Sequence, residues 1–264
     1  MGGIKVVTDN GLMNEIIKSV KDAGKIAMDF YGTEKGTMKI DGTWLTKADF
    51  KIEKFLRQQI SKILNVRIFG EEGLWTGNEN EQYTAIIDPI DGTALFKAKI
   101  PIWGISVAIF NHKTPWLGIF YMPATETIYI GINDTRAQKN NETINITPTY
   151  PSKDSYIGVS SDAHLYSLDN YPGKVRAFGV SALHLLLVTT GEFQSALFTR
   201  FNLYDIAAAA IIHWAAGGVL YYISGEEVKP DEFVKSGENK KGAILACHPQ
   251  TYVETRACVM IGST

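Results

Sequence analysis

Apolar side chains recur at helical spacing near the start of the chain. Leu12, Ile16, Ile17, Val20, Ile26, Ala27 and Phe30 line one side of a helix expected over 10–31. A polar, glycine-marked stretch at 32–42 follows and reads as a loop or short hairpin. A second helix is expected over 47–64, with Phe50, Phe55, Leu56, Ile60 and Ile63 turned inward. The pattern then changes to short apolar runs, and strands are expected at 66–69, 84–88, 104–110, 116–121 and 127–131. Residues 76–82 read as a polar loop, and Asn111-His112-Lys113 as a hairpin turn. The polar segment 133–141 and the proline-containing segment 147–153 interrupt the pattern. The boundary between two domains, 1–148 and 149–264, is placed there.

Beyond it, strands expected at 156–160, 174–178, 193–199, 219–223 and 243–247 alternate with helices at 163–168, 181–189, 205–216 and 251–260. Such alternation argues for an α/β domain, whereas the first half, helices then strands, reads as α+β.

Composition narrows the function classes. At 264 residues, 45% hydrophobic and 20% charged, the chain has the make-up of a soluble globular protein with a sizeable core. A formal net charge of −2 provides no general attraction to nucleic acid or an anionic membrane. Residues 1–10 lack the apolar centre of a signal peptide, and no stretch approaches membrane-spanning length. Cys247 and Cys258 have no metal-ligand spacing and fit a reduced, cytoplasmic protein. Among the histidines, His184 and His213 fall inside apolar helices and read as satisfied core residues.

The candidate chemistry centres on Ile86-Ile87-Asp88-Pro89-Ile90-Asp91-Gly92-Thr93. Two carboxylates stand three residues apart where an apolar strand ends. An unpaired buried charge costs several kcal/mol or more, so the pair calls for a compensating cation. Hard divalent metals take oxygen ligands and bind through a few carboxylates plus substrate phosphate. Pro89 suits a strand terminus, and Gly92 permits the tight turn that brings Asp88 and Asp91 to one side. Other acids allow two readings each. Thr46-Lys47-Ala48-Asp49 is a helix-capping pattern as well as a candidate catalytic one. Asp205 is either a first-turn helix acid or a metal ligand. Gly70-Glu71-Glu72 is either an exposed acidic turn or a ligand turn. The helix start at Gly179-Val180-Ser181 is a natural anion site.

Asp88–Thr93, Gly70-Glu71-Glu72, Thr46–Asp49 and Tyr204-Asp205-Ile206-Ala207-Ala208 with Gly217-Gly218 occur in the order and separations of the inositol monophosphatase family. The chain resembles those lithium-sensitive, Mg²⁺-dependent phosphomonoesterases over about residues 35–220. The resemblance implies a layered αβαβα sandwich, a cytoplasmic homodimer and two to three Mg²⁺ ions. It implies metal ligation by Glu71, Asp88, the Ile90 carbonyl, Asp91 and Asp205. It also implies that Thr93 and Asp49 hydrogen-bond and, with Glu71, orient a metal-activated water for in-line attack, without a covalent phosphoenzyme. Substrate phosphate would meet Asp91, Gly92, Thr93, Gly179, Val180 and Ser181, with Lys39 in the loop before Asp49.

This chain departs from the family at three places. Phe198 replaces a glutamate that contacts inositol hydroxyls, Ala94-Leu95 replaces Thr-Asn, and Tyr204 replaces the signature tryptophan. Inositol selectivity is therefore open. Arg176 and Arg200 are candidates for gripping a second phosphate, as in fructose 1,6-bisphosphate, or are surface-paired arginines. The alternatives are a 3′-phosphoadenosine 5′-phosphate phosphatase of the same superfamily and a catalytically silent, metal-binding regulatory relative. A dehalogenase-type phosphatase is disfavoured because Asp88 and Asp91 are separated by two residues, one of them Pro89.

Overall fold

The computed structural model describes residues 9–33, 37–38, 44–71, 75–133, 136–161, 168, 170–199, 201–234 and 242–259. Helix α1 (Asp9–Phe30) buries Met13, Ile16, Val20, Ala23 and Ala27, the stripe its periodicity requires. Strands β1 (Thr37–Met38) and β2 (Trp44–Leu45) form a small antiparallel pair before α2 (Lys47–Ile63). Then come β3 (Val66–Gly70), β4 (Trp75–Thr76), β5 (Tyr83–Asp91), α3 (Thr93–Lys97), β6 (Gly104–Asn111) and β7 (Thr114–Met122). After β8 (Thr127–Ile132), β9 (Arg136–Lys139) and β10 (Glu142–Ile144), the chain enters its second half.

That half contains β11 (Tyr156–Val159), β12 (Lys174–Arg176), α4 (Ser181–Thr189), β13 (Ser195–Phe198) and α5 (Leu203–Ala215). It continues with β14 (Val219–Tyr222), α6 (Pro230–Phe233), β15 (Ile244–Cys247) and α7 (Tyr252–Cys258). Two main sheets result. The larger runs β10-β9-β8-β7-β6-β5-β3-β4, antiparallel except where β3 pairs with β5. The smaller runs β12-β11-β13-β15-β14, with β11 parallel to both of its neighbours.

The layers follow from which faces are apolar. Helices α1 and α2 have one buried stripe each and cover the outer face of the large sheet around Ile16, Ile52, Leu56 and Ile105. Helices α4 and α5 are apolar nearly all round, as a helix must be when sheets cover both sides. They lie between the two sheets, packed with Ile86, Phe110, Phe120, Phe198 and Leu220. Helix α7 and residues such as Ile157, Leu197 and Leu245 close the far face of the small sheet. The order is αβαβα, the layered α/β architecture expected.

Close approach of α5 to the large sheet depends on two cross-strand glycines. Gly118 on β7 pairs in register with Gly131 on β8. A Cβ on Gly118 would lie 2.6 Å from the Ala208 carbonyl oxygen, and one on Gly131 2.6 Å from Ile212 Cα. The alanine run 207–210 on α5 meets this bare strip of sheet, so the helix backbone sits almost on the strands.

Several expectations need correction. Phe50 is 56% exposed rather than inward. It stands two residues, roughly 200° of helix rotation, from both Ala48 and Ile52 on the buried stripe. The polar segment 133–141 contains β9 and the two-residue β9–β10 connection. Strand β9 and the edge strand β10 beyond it are too short and polar to show alternation. Helices α3 and α6 are single turns below the length at which periodicity registers. The strand expected to end at Asp88 continues as β5 to Asp91. The helix expected over 163–168 falls almost wholly outside the described residues, with only Leu168 described. No helix among the described residues is long and apolar enough to cross a membrane.

Candidate active site

Strand β5 is buried along its whole length because α2 covers one face and α5 the other. Ala85 and Ile87 point to the α1–α2 side, whereas Ile86 points to α4 and α5. Simple alternation would put Asp88 and Ile90 together on the central side. The pairing with β6 shifts between Asp88 and Asp91. Ile90 instead joins the outer core, and Asp91 reaches α4. A bulge of this kind inverts the alternation, so Asp88 and Asp91 share a face. Pro89, which has no amide hydrogen to give a ladder, stands within it.

The Asp88 carboxylate accepts from the Ile90 amide at 3.0 Å, which stabilises the turn itself. Asp91 accepts from the Ala182 amide at 3.0 Å, and the Ser181 amide also serves it. The start of α4 thus already faces an anion, the protein's own Asp91 carboxylate. Gly92, at φ +96°, presses against α4: a Cβ there would lie 2.8 Å from Val180 Cγ2. Val180 is the N-cap of α4 and has no capping side chain, and Gly179 before it sits at φ +74°. The Thr93 hydroxyl donates to the Ile90 carbonyl at 3.0 Å.

Two other acids are placed by helix capping. Asp49 is the third residue of α2 and nearly fully buried. Its carboxylate accepts from the Thr46 amide and hydroxyl, both at 2.6 Å. Asp205 is the third residue of α5 and accepts from the Asn202 amide at 2.8 Å. The capping reading of Thr46–Asp49 therefore holds, and Asp49 directs this oxygen to Thr46 while Thr93 bonds to Ile90. Starts of three helices hold Asp49, Asp91 and Asp205, where N–H groups and dipoles favour negative charge.

Glu71 follows β3 and donates its backbone amide to Ile87 at 3.0 Å, which fixes the turn beside Asp88. Tyr204, next to Asp205, packs its ring at a 45° tilt against Phe69, two residues before Glu71, with centroids 5.6 Å apart. Its hydroxyl accepts from the Asn202 side-chain amide at 2.7 Å, a bond the tryptophan expected at this position would not offer.

Electrostatics gather these acids into one group. Burial, then the fields of Glu71, Asp91 and Asp205 and a hydrogen bond with Glu71, push Asp88 well above the usual carboxylate range. Every one of those contributions raises it. Asp91 is also raised well above that range, first by burial and then by Asp205, with the α4 amides partly opposing. Among the described residues no three His, Cys, Asp or Glu side chains form a ready ion cage. Hard oxygen donors in a buried, mutually repelling set fit a divalent cation such as Mg²⁺.

Lys39, Glu72 and Arg200 lie outside the described residues. Arg176 ends β12, where its guanidinium lies over the Tyr156 ring at 4.9 Å and donates to the Val175 carbonyl. Phe198 is fully buried in the central core.

Sequence reasoning missed the support beneath Glu71. Glu53 on α2 touches Gly70 so closely that a Cβ there would lie 2.2 Å from its carboxylate oxygen. We expect Gly70→Ala to cost about 1–3 kcal/mol through overpacking, read as a lower urea midpoint. An unchanged midpoint would mean that Glu53 moves aside freely.

His184 and His213 are core residues, as expected. His184 accepts from the Phe178 amide at 2.9 Å, and His213 lies between Thr189 Oγ1 and the Val219 carbonyl. Burial lowers both from 6.5 to about 4. The stability gained by keeping them neutral is full above about 6.5 and is lost as pH falls towards about 4. The urea midpoint should thus be less sensitive to acidification over that window in His184→Gln than in the wild type. Equal slopes would contradict a neutral buried His184.

The fold and site define a layered α/β protein with a buried carboxylate cluster suited to a hard cation. The chain belongs to the inositol monophosphatase family, whose family model matches residues 10–256. Members of that family are phosphatases and typically metal-dependent. The chain is 30% identical over 218 residues to a fructose-1,6-bisphosphatase of Pyrococcus furiosus, covering 80% of this chain and 85% of that one. It is 27% identical over 224 residues to an inositol-1-monophosphatase of Rhizobium meliloti, covering 79% and 84%. The structure of extragenic suppressor protein suhB from Bartonella henselae superposes with a TM-score of 0.84 at 22% identity, covering 96% and 99%.

Proposed function

We propose that this chain is a Mg²⁺-dependent phosphomonoesterase that hydrolyses inositol 1-phosphate, fructose 1,6-bisphosphate or both. The observation that carries it is the β5 bulge, which turns two buried aspartates to one face beside Glu71 and Asp205. Glu71, Asp88, the Ile90 carbonyl, Asp91 and Asp205 would hold two to three Mg²⁺ ions. Bound Mg²⁺ would supply Lewis-acid charge for the phosphoryl oxygens and lower the pKa of water.

The chain's own residues supply position and proton handling. The Asp49 carboxylate and Thr93 hydroxyl orient the attacking water, each already held by a hydrogen bond to backbone. Gly92, Thr93 and the backbone of Gly179, Val180 and Ser181 receive the phosphate, with the Ser181 amide shared with Asp91. Lys39, Arg176 and Arg200 are retained as candidate contacts to the rest of the substrate.

Burial of Phe198 favours the bisphosphate over strict inositol selectivity, because a sealed phenyl ring offers no acceptor to a polyol hydroxyl. The test is phosphate release with Mg²⁺ from inositol 1-phosphate, fructose 1,6-bisphosphate and 3′-phosphoadenosine 5′-phosphate in parallel. Support is release from either of the first two that EDTA abolishes. Preference for the third would move the chain to the nucleotide branch, and no release despite Mg²⁺ binding would favour the silent relative.

A further inference from the structure

Along α2, Asp49, Glu53 and Arg57 stand four residues apart, so they form one slowly drifting stripe on the side facing the sheet. Asp49 is at the candidate site. Glu53 is buried against Gly70, the residue immediately before Glu71. Arg57 closes the row: its Nε donates to Glu53 at 2.7 Å, with both side chains largely buried. The remaining reach of the guanidinium goes to the sheet. Nη1 donates to the Ile68 carbonyl on β3 at 3.2 Å and to the Thr76 hydroxyl on β4 at 2.8 Å.

Those two acceptors stand on either side of the turn that carries Glu71. Strand β3 leads into it, and β4 leads out, paired with β3 by Ile68↔Thr76. Strand β4 is only two residues long and lies at the sheet edge, so the pairing itself holds it weakly. One planar, multiply donating group therefore ties both arms of the turn to the helix that presents Asp49. It also neutralises Glu53, which would otherwise add a further negative charge next to an already repelling set of acids. A lysine, with its single point charge, would not span the same acceptors.

We propose that Arg57 is a positioning residue for the metal site, acting through Glu53 and the two arms of the Glu71 turn. This inference rests on the reading of Glu71 and its neighbours as Mg²⁺ ligands. Residues supporting metal ligands typically change affinity by about 10–100-fold. Arg57→Met should accordingly weaken Mg²⁺ binding by about tenfold or more. Thr76→Val keeps the Glu53–Arg57 pair, removes an exposed bond and leaves the core intact. It should weaken binding in the same direction by a smaller factor.

The test is titration calorimetry with Mg²⁺ on wild type, Arg57→Met and Thr76→Val without substrate, alongside urea midpoints in EDTA. Weaker Mg²⁺ binding in both variants, with Thr76→Val keeping the wild-type midpoint, supports the role. Wild-type Mg²⁺ affinity in Thr76→Val and in any folded Arg57→Met would overturn it, even if midpoints fall. Absence of Mg²⁺ binding by the wild type would instead overturn the metal reading beneath it.

Discussion

Asp88→Asn is expected to abolish Mg²⁺-dependent phosphate release while making the metal-free protein more stable. Both effects have one cause. Asp88 is 4% exposed and surrounded by Glu71, Asp91 and Asp205, and burial and the fields of those neighbours push its pKa well above the usual carboxylate range. In the proposed function that carboxylate is a partner for a cation, and without the cation its charge is uncompensated. Asparagine keeps the side-chain oxygen that accepts from the Ile90 amide and removes the charge. Loss of a ligand removes several kcal/mol of transition-state stabilisation, or about 100-fold or more in kcat. Removal of a buried repelling charge should raise the melting temperature of the metal-free fold by a few degrees, about the 2–4 °C that each kcal/mol gives in a chain of this size.

The pH dependence has a fixed sign. A carboxyl whose folded pKa is raised binds protons more tightly in the folded state. That contribution favours folding below the unfolded value, near 4, and is progressively lost as pH rises through the raised value. The stabilisation by Asp88→Asn should consequently grow with pH in EDTA and shrink with saturating Mg²⁺. Melting curves in EDTA and in Mg²⁺ across that range decide it. A variant less stable than wild type in EDTA at neutral pH would sink the argument.

Gly118→Ala and Gly131→Ala should be among the most damaging single-methyl changes in the chain. At both positions the added carbon meets α5 at about 2.6 Å, against backbone atoms of Ala208 and Ile212 that have no rotamer through which to yield. Overpacking of this kind costs about 1–3 kcal/mol and occasionally more, and rigid backbone contacts place these two at the upper end. The effect extends to chemistry because Asp205 is fixed to the start of the same helix by its capping bonds. A helix lifted from the sheet carries Asp205 with it. Misplacement by about 1 Å is enough for about a 100-fold loss of rate. Urea midpoints and Mg²⁺ affinity should fall together; wild-type values for both in Gly118→Ala would mean that α5 does not rest on this glycine pair.

The sequence by itself determined much of this protein. One-sided apolar stripes specified α1 and α2 as outer helices, and the nearly all-apolar run 205–216 announced a helix with no solvated face. Asp88, Asp91 and Glu71 were legible as candidates because charge at the edge of an apolar run is too costly to be incidental. Asp49 and Asp205 were legible as caps because capping is a contact between residues three apart.

Only the tertiary structure decided the rest, since it depends on pairs distant in the chain. The sequence led to the expectation that a turn at Gly92 brings Asp88 and Asp91 to one side; the structure does it instead by a register shift within β5, between the partners Ser106 and Gly104. Ala182 as the partner of Asp91 lies 91 residues away. The Glu53–Arg57 row is a plain i, i+4 pair in sequence, and its acceptors on β3 and β4 appear only once the helix lies on the sheet. Short polar strands such as β9 and β10 have no pattern of their own, because their pairing is supplied by a neighbour rather than by burial. Local periodicity encodes which face is buried; which groups meet across that buried face is decided by packing.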